Sequence, residues 1–443
     1  MDIHTYQLMV GGFGAIHHEQ SKGVESHVLL LPNSIDIKTF DAKVTLRQEK
    51  SVKGNKKLVD DDSSSQLPSI RPAGVASDVP SPSWLLREGD TVFAVLEDTD
   101  EVASLRIVYK DDHSNDNPAK NGKVKLEELS RVKLPAKSGP THAAIAVDPL
   151  LGRHLITADY QDGTVCVLPI DADDVLGPVA QVMHGDPDHH GPLPAQEGPH
   201  AHWILPLADG RVLTTDLGAD RIYVHHWEGS RLVRTGFISL APATGPRDLH
   251  VLPGPSGDWR IAVVDEWGCT VTILEPVDRN GVGSAVGQDN KDGEQSEEFW
   301  VAQTVGLGGD GGEHPDQAAS LAFVPDALHV TDSSEGQDTE VPPFSSGFVY
   351  VGLRGSERIV TLYWDGRKLS RLAAESEAGW KGRGISCGGK RPRHIKAVGN
   401  MLIVANEVSD NLSLFRVADD GEPVHLGDYP AGSPTVVLPL AGV

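Results

Sequence analysis

Apolar residues in this chain come in short bursts of strand length, and polar turns separate them in a recurring order. The stretches HLITADYQDGTVCVL (154–168), RVLTTDLGADRIYVHHW (211–227), WRIAVVDEWGCTVTIL (259–274) and MLIVANEVSDNLSLFRV (401–417) each read as a strand, a polar turn and a β-branched strand. Upstream of each pair lies a proline, one or two polar residues, a further short apolar stretch and a turn. Six such units start at Pro82, Pro140, Pro199, Pro246, Pro315 and Pro392. A seventh is split between the two ends: SPTVVLPL (433–440) reads as a first strand and HTYQLMVGGF (4–13) as the second strand that follows it. A repeat of this kind predicts an all-β fold, a seven-bladed β-propeller forming one domain over the whole chain. The N- and C-terminal strands close the ring and hide the sheet edges that invite aggregation. Most units exceed the roughly 40–50 residues of propeller repeats. Polar, Gly/Ser/Asp-rich insertions near 50–80, 277–298 and 325–346 account for the excess.

Composition narrows the partners. With 63 acidic against 39 basic side chains the net charge is -24, which repels nucleic acid and anionic membrane surfaces. No apolar run approaches the roughly 20 residues that cross a bilayer, and no secretory signal is visible at the amino terminus. The 3 cysteines, Cys166, Cys269 and Cys387, are too far apart for a disulfide scaffold or a zinc pair. The expectation is a cytoplasmic protein with no cofactor and no metal; the oligomeric state stays open. An anionic substrate has to be caught by a local cluster of Arg and His.

The repeat locates that cluster, because equivalent positions in all blades form rings around the central channel. Just after the proline the units carry Ser83, Thr141, His200, Arg247, Asp316, Arg393 and Thr435; one further on they carry Trp84, His142, Ala201, Asp248, Gln317, His394 and Val436. At the end of the second strand stand Glu97, Tyr160, Leu217, Glu266, Arg354 and Glu407. A purely structural ring repeats one residue type. These rings collect His, Arg and Glu, the groups that move protons and hold oxyanions. Alternation along a strand places His200 and His202 on one face, with Ala201 and Trp203 on the other. Arg247 and Glu266 meet at one end of adjacent strands, either as a structural ion pair or as a guanidinium preorganised for a substrate anion.

The motifs GPHAH, GPRDLH followed by VVDEWG, YVGLRG, and RPRHI followed by VANEVSDNLSLF resemble the seven-bladed lactonase family, which includes bacterial-type 6-phosphogluconolactonase and fungal carboxy-cis,cis-muconate cyclase. The resemblance covers nearly the whole chain. It implies that His200, Arg247, Glu266 and Arg354 form the catalytic set; the ring positions and the strand alternation add His142, His202, Arg393, His394 and Glu407 as expected substrate-binding residues. It also implies a small anionic lactone or a muconate as substrate. Hydrolysis of a sugar-acid lactone, as in 6-phosphogluconolactonase, is the expected reaction, with lactone-forming cyclisation and a non-catalytic binding platform as alternatives. One departure stands out: where the family usually has Arg-His after Gly-Pro, this chain has Arg247-Asp248, with the nearest histidine at His250.

Two further features resemble sites. HGDPDHHGPLPAQEGPH (184–200) is dense in His and Asp, but Gly and Pro interrupt it and no element fixes a ligand pair, so it reads as a lid or solvated insertion. Cys269, expected on the strand after Glu266, reads as core.

Overall fold

The computed structural model describes residues 3–14, 19–32, 67–109, 124–277, 298–308, 316–326 and 346–440. Over these residues the strands pair with their chain neighbours into seven antiparallel sheets, six of four strands and one of five. The third blade is typical: Ala201–Pro206 lies innermost, followed outward by Val212–Asp216, Arg221–Glu228 and Arg231–Ser239. The seventh blade closes the ring as the split repeat predicts. Pro434–Pro439 pairs with Ile3–Gly12, which pairs with Val24–Pro32. The Thr435 hydroxyl donates to Gly11 O at 3.4 Å and to Ser83 O of the first blade at 2.9 Å, tying the closure to its neighbour.

The core lies between adjacent blades. Met9, Leu85 and Val436 pack between the seventh and first blades, and Val324, Tyr350, Ile395 and Phe415 between the fifth and sixth. Each such side chain contributes about 1.5–3 kcal/mol by leaving water. Polar residues also sit inside where they end a strand. Asp159 accepts from Thr164 and Cys166, and Asp265 from Thr270 and Thr272. Burial pushes both carboxyls up to about 7, against these hydrogen bonds.

Insertions 277–298 and 325–346 lie almost wholly outside the described residues, as does the insertion near 50–80 up to residue 66. The last part of that insertion is not a loop: Ser69–Ser77 is the outermost strand of the seventh blade. Its Pro72 and its half-exposed pattern suit an edge strand, where a missing N–H costs little.

One irregularity recurs in all seven blades. Near the start of each inner strand, one residue more stands on that strand than on its partner, a β-bulge. Just before it, a second device repeats. The residue after the second strand donates its N–H to the carbonyl of the residue that precedes the inner strand: Glu97 to Ser81, Tyr160 to Gly139, Leu217 to His200, Glu266 to Gly245, Arg354 to Gln317, Glu407 to Arg391, and Phe13 to Ser433.

Candidate active site

The bulges fix the true ring. Pro82, Pro140, Pro246, Pro392 and Pro434 oppose the second-strand ends Leu96, Asp159, Asp265, Asn406 and Gly12, whereas in the third and fifth blades the same place is taken by Ala201, opposite Asp216, and Ala318, opposite Leu353. The ring after this position therefore reads Ser83, Thr141, His202, Arg247, Ala319, Arg393 and Thr435. His200 and Asp316 do not belong to it. Asp316 is a buried turn anchor whose Oδ1 accepts from the N–H groups of Gln317, Gly355 and Ser356. The bulge also breaks the alternation expected at 200–203: Trp203 turns to the channel beside His202 and stacks on His142, centroids 3.7 Å apart.

At the mouth where the inner strands begin, a carboxylate joins two guanidinium groups. Glu266 Oε2 lies 3.0 Å from Arg247 Nε, and Oε1 lies 2.5 Å from Arg354 Nη2. All three side chains are buried, at 7%, 5% and 8% exposure. Arg247 Nη1 also donates to Asp248 Oδ1 at 2.7 Å and to Ala319 O at 2.5 Å, which locks it across two blades. Burial alone would raise the Glu266 carboxyl, but Arg354 and Arg247 outweigh it and hold it below the usual carboxylate range. The ion pairs are close yet poorly aligned as hydrogen bonds. Arg247 Nε and both Nε and Nη2 of Arg354 keep N–H groups without an aligned acceptor among the described residues. In the sixth blade Arg393 pairs with Glu407 at 3.1 Å and lies over the Phe13 ring at 4.7 Å. Burial works against the charge of Arg393, but Glu407, Glu97 and Glu266 overcome it and keep the cation firmly protonated.

His200 occupies the row that precedes the inner strands. Five of the seven residues in that row, Ser81, Gly139, Gly245, Arg391 and Ser433, have positive φ, and His200 does not. Its imidazole turns toward the second blade, stacked on Tyr160 with centroids 4.6 Å apart, and Nδ1 is 2.8 Å from Tyr160 O. A carbonyl only accepts, so Nδ1 carries a proton, and in this tautomer the lone pair stands on Nε2. No described residue bonds to that Nε2.

The remaining histidines have other duties. His142 Nδ1 accepts the N–H of Ile204, and His394 Nδ1 accepts that of Val437, each at 3.1 Å. Both rings staple one blade to the next. His202 is buried with Nδ1 3.9 Å from Asp248 Oδ1 and no hydrogen bond on that nitrogen. Burial, with nearby Arg and His charges and, for His394, Lys396, holds all three well below the ordinary imidazole value, so they are neutral. Trp84, Trp203, His202 and His394 fill the channel to leave a cavity of about 20 Å³, room for about one water.

The His-rich segment 184–200 is a strap pinned over the third blade. Gln196 donates to Leu217 O and Asp220 Oδ1, each at 2.8 Å, and Gly191 N–H donates to Gly218 O at 2.7 Å. Asp186 pairs with Arg221 at 3.2 Å. Among the described residues no cluster of His, Cys, Asp or Glu is placed to hold a metal ion. Cys269 lies in the turn before the strand that starts at Thr270, with φ 51°, rather than on that strand. Burial, with the nearby Asp316 and Glu375 carboxylates, pushes its thiol up to about 12, which leaves no thiolate for catalysis.

A family model described as lactonase, 7-bladed beta-propeller, matches residues 54–439. The 6-phosphogluconolactonase of Bacillus subtilis is 31% identical over 63% of this chain and 66% of its own length, just under two thirds. Among solved structures, the periplasmic gluconolactonase of Pseudomonas aeruginosa superposes with a TM-score of 0.67 at 22% identity, over 99% of each chain. A putative 6-phosphogluconolactonase of Bacteroides fragilis gives 0.65 at 17%, over 99% of this chain and 98% of its own. At these identities the superpositions establish the fold.

Proposed function

Since the chain belongs to the seven-bladed β-propeller lactonase family, we propose that it hydrolyses a small sugar-acid lactone at the mouth built by His200, Arg247, Glu266 and Arg354. The observation that supports this reading is the convergence of two buried guanidinium groups, held together by Glu266, with an oriented imidazole whose Nε2 no described residue bonds. Water on His200 Nε2 loses a proton to it as its oxygen attacks the lactone carbonyl carbon. The carbonyl π bond opens to an oxyanion, held by Arg354 and Arg247. Collapse re-forms the carbonyl and breaks the ring C–O bond, and the proton on Nε2 passes to the departing ring oxygen. Lactone and water thus become a hydroxy acid.

Glu266 is an unsuitable base in this scheme, because both its oxygens face guanidinium groups and its carboxyl is held ionised. It positions the two arginines. Arg393 and Glu407, beside them, line the wall on which the rest of the substrate rests. His142 and His394, expected to bind substrate, are assigned instead to blade-to-blade contacts, and His202 to the floor.

A panel of δ- and γ-lactones with and without phosphate, followed by proton release, and muconates, followed by ultraviolet absorbance, tests the reading. Arg354→Gln and Arg247→Gln should each keep the fold and lose about 2–4 kcal/mol of transition-state binding on the best lactone. Full turnover in both variants, or turnover of muconates alone, would overturn it.

A further inference from the structure

In the ring that follows the second strands, the first, fourth, fifth and sixth blades carry charged residues, Glu97, Glu266, Arg354 and Glu407, and the second blade carries Tyr160. Tyr160 is held from several sides. Its N–H donates to Gly139 O at 2.9 Å, its carbonyl accepts a hydrogen bond from His200 Nδ1, its ring face stacks on His200 at 20°, and His202 meets it edge-on at 6.2 Å. Its hydroxyl is not held. Tyr350 donates to Gly421 O and Tyr363 to Asp326, each at 2.9 Å, whereas the Tyr160 hydroxyl has no hydrogen-bond partner among the described residues. The ring is thus fixed beside the proposed base while its one polar atom has no described partner.

The charges that act on this phenol are those of the site. Burial raises its pKa and Glu266 adds to that, while Arg354, Arg247 and Arg393 pull the other way; the net direction is up, so the O–H keeps its proton and remains a donor. A neutral donor that feels the charge of these guanidinium groups suits an oxygen that gains negative charge beside them. An oxyanion at a tetrahedral carbon accepts several hydrogen bonds from converging directions, and a donor already in place costs no reorganisation when the charge appears.

We propose that the Tyr160 hydroxyl is a catalytic donor to the oxyanion of the lactone carbonyl, acting together with Arg354 and Arg247. The role rests on the lactonase reading of this site.

Tyr160→Phe keeps the ring and its stack on His200 and removes only the donor. On the best lactone of the panel, kcat should fall about 100-fold, with KM within about twofold and the melting temperature unchanged. A kcat within about threefold of the unmodified protein, or a loss carried wholly by KM, would overturn the donor role. Tyr160→Leu separates positioning from donation: if Phe at 160 restores full kcat while Leu does not, the residue only holds His200 in place and the proposal fails. If the unmodified protein turns over no lactone, the lactonase reading itself falls and this role with it; an active protein indifferent to Tyr160→Phe removes Tyr160 alone.

Discussion

Replacing Glu266 by Gln separates a positioning carboxylate from a proton-moving one, and the structure sets the size of the effect. Glu266 faces Arg247 at 3.0 Å and Arg354 at 2.5 Å, all three buried. At an effective dielectric constant of about 20, these contacts carry roughly 5 to 7 kcal/mol each of Coulomb attraction. Most of that is offset by taking three charges out of water. What is lost when one partner of a buried pair disappears is about 3–5 kcal/mol, because the remaining charges stay buried and uncompensated. Gln adds to the loss, since its amide presents donors to one of two guanidinium groups that are themselves donors. For a chain of 443 residues unfolding as one unit, with about 2.1 cal/mol/K per residue, the melting temperature should fall by about 3–5 °C. Affinity for the lactone should weaken in step, as Arg354 loses its orientation. Differential scanning calorimetry beside steady-state kinetics reads both quantities. A melting temperature that holds or rises while kcat collapses at constant KM would refute the reasoning, because relief of a desolvated carboxylate together with loss of turnover is the mark of a general base.

Three other outcomes follow from the same structure. His200→Gln should cut kcat by about 10²–10⁴ with little change in melting temperature, measured on the same lactone; an active variant would discard the assigned base. Asp159 and Asp265 hold their protons up to about 7 in the folded state against an ordinary value of 3.8, so the folded chain binds more protons than the unfolded one across that window. Stability should then fall as pH rises from about 4 to 7, by up to about 1.4 kcal/mol per pH unit for each group; Asp265→Asn should flatten the slope in urea titrations, and an unchanged slope would count against the assignment. Deleting residues 434–443 removes the innermost strand of the seventh blade and should abolish cooperative melting, whereas a truncated protein that melts like the parent would contradict the closure.

Most of the architecture could be read from the chain because the repeat unit is local: a proline and two apolar strands with a polar turn recur in each blade, and four of the seven second strands end in Asp or Asn. The split seventh blade was visible for the same reason. The phase of two blades was not. Pro199 and Pro315 are real prolines, but they lie ahead of the inner strands, and alanines take the ring position at Ala201 and Ala318. Counting back from the strand-end Asp does not recover the phase, because the first turn differs in length: 19 positions separate Pro140 from Asp159 and Pro246 from Asp265, but 15 separate Ala201 from Asp216. The bulges were equally hidden, since an extra residue in a strand has no hydrophobic period of its own, and they are what turns Trp203 inward. Tyr160 gave no chemical signal in the sequence beyond its place in a ring of charges; its open hydroxyl is a property of its surroundings.

The closing sheet has a consequence for how the protein is made. Gly11 and Thr435, hydrogen-bonded in the seventh blade, are 424 positions apart in the chain. At ~5–20 residues per second of synthesis, on the order of 20 to 90 s separate the emergence of the two. Throughout that interval the first strand lacks its inner partner, and an unpaired edge waits at the ribosome. The earlier blades must hold together as an incomplete arc until the final strand arrives, so a nascent chain stalled shortly before residue 434 is the species most exposed to aggregation and most dependent on a chaperone.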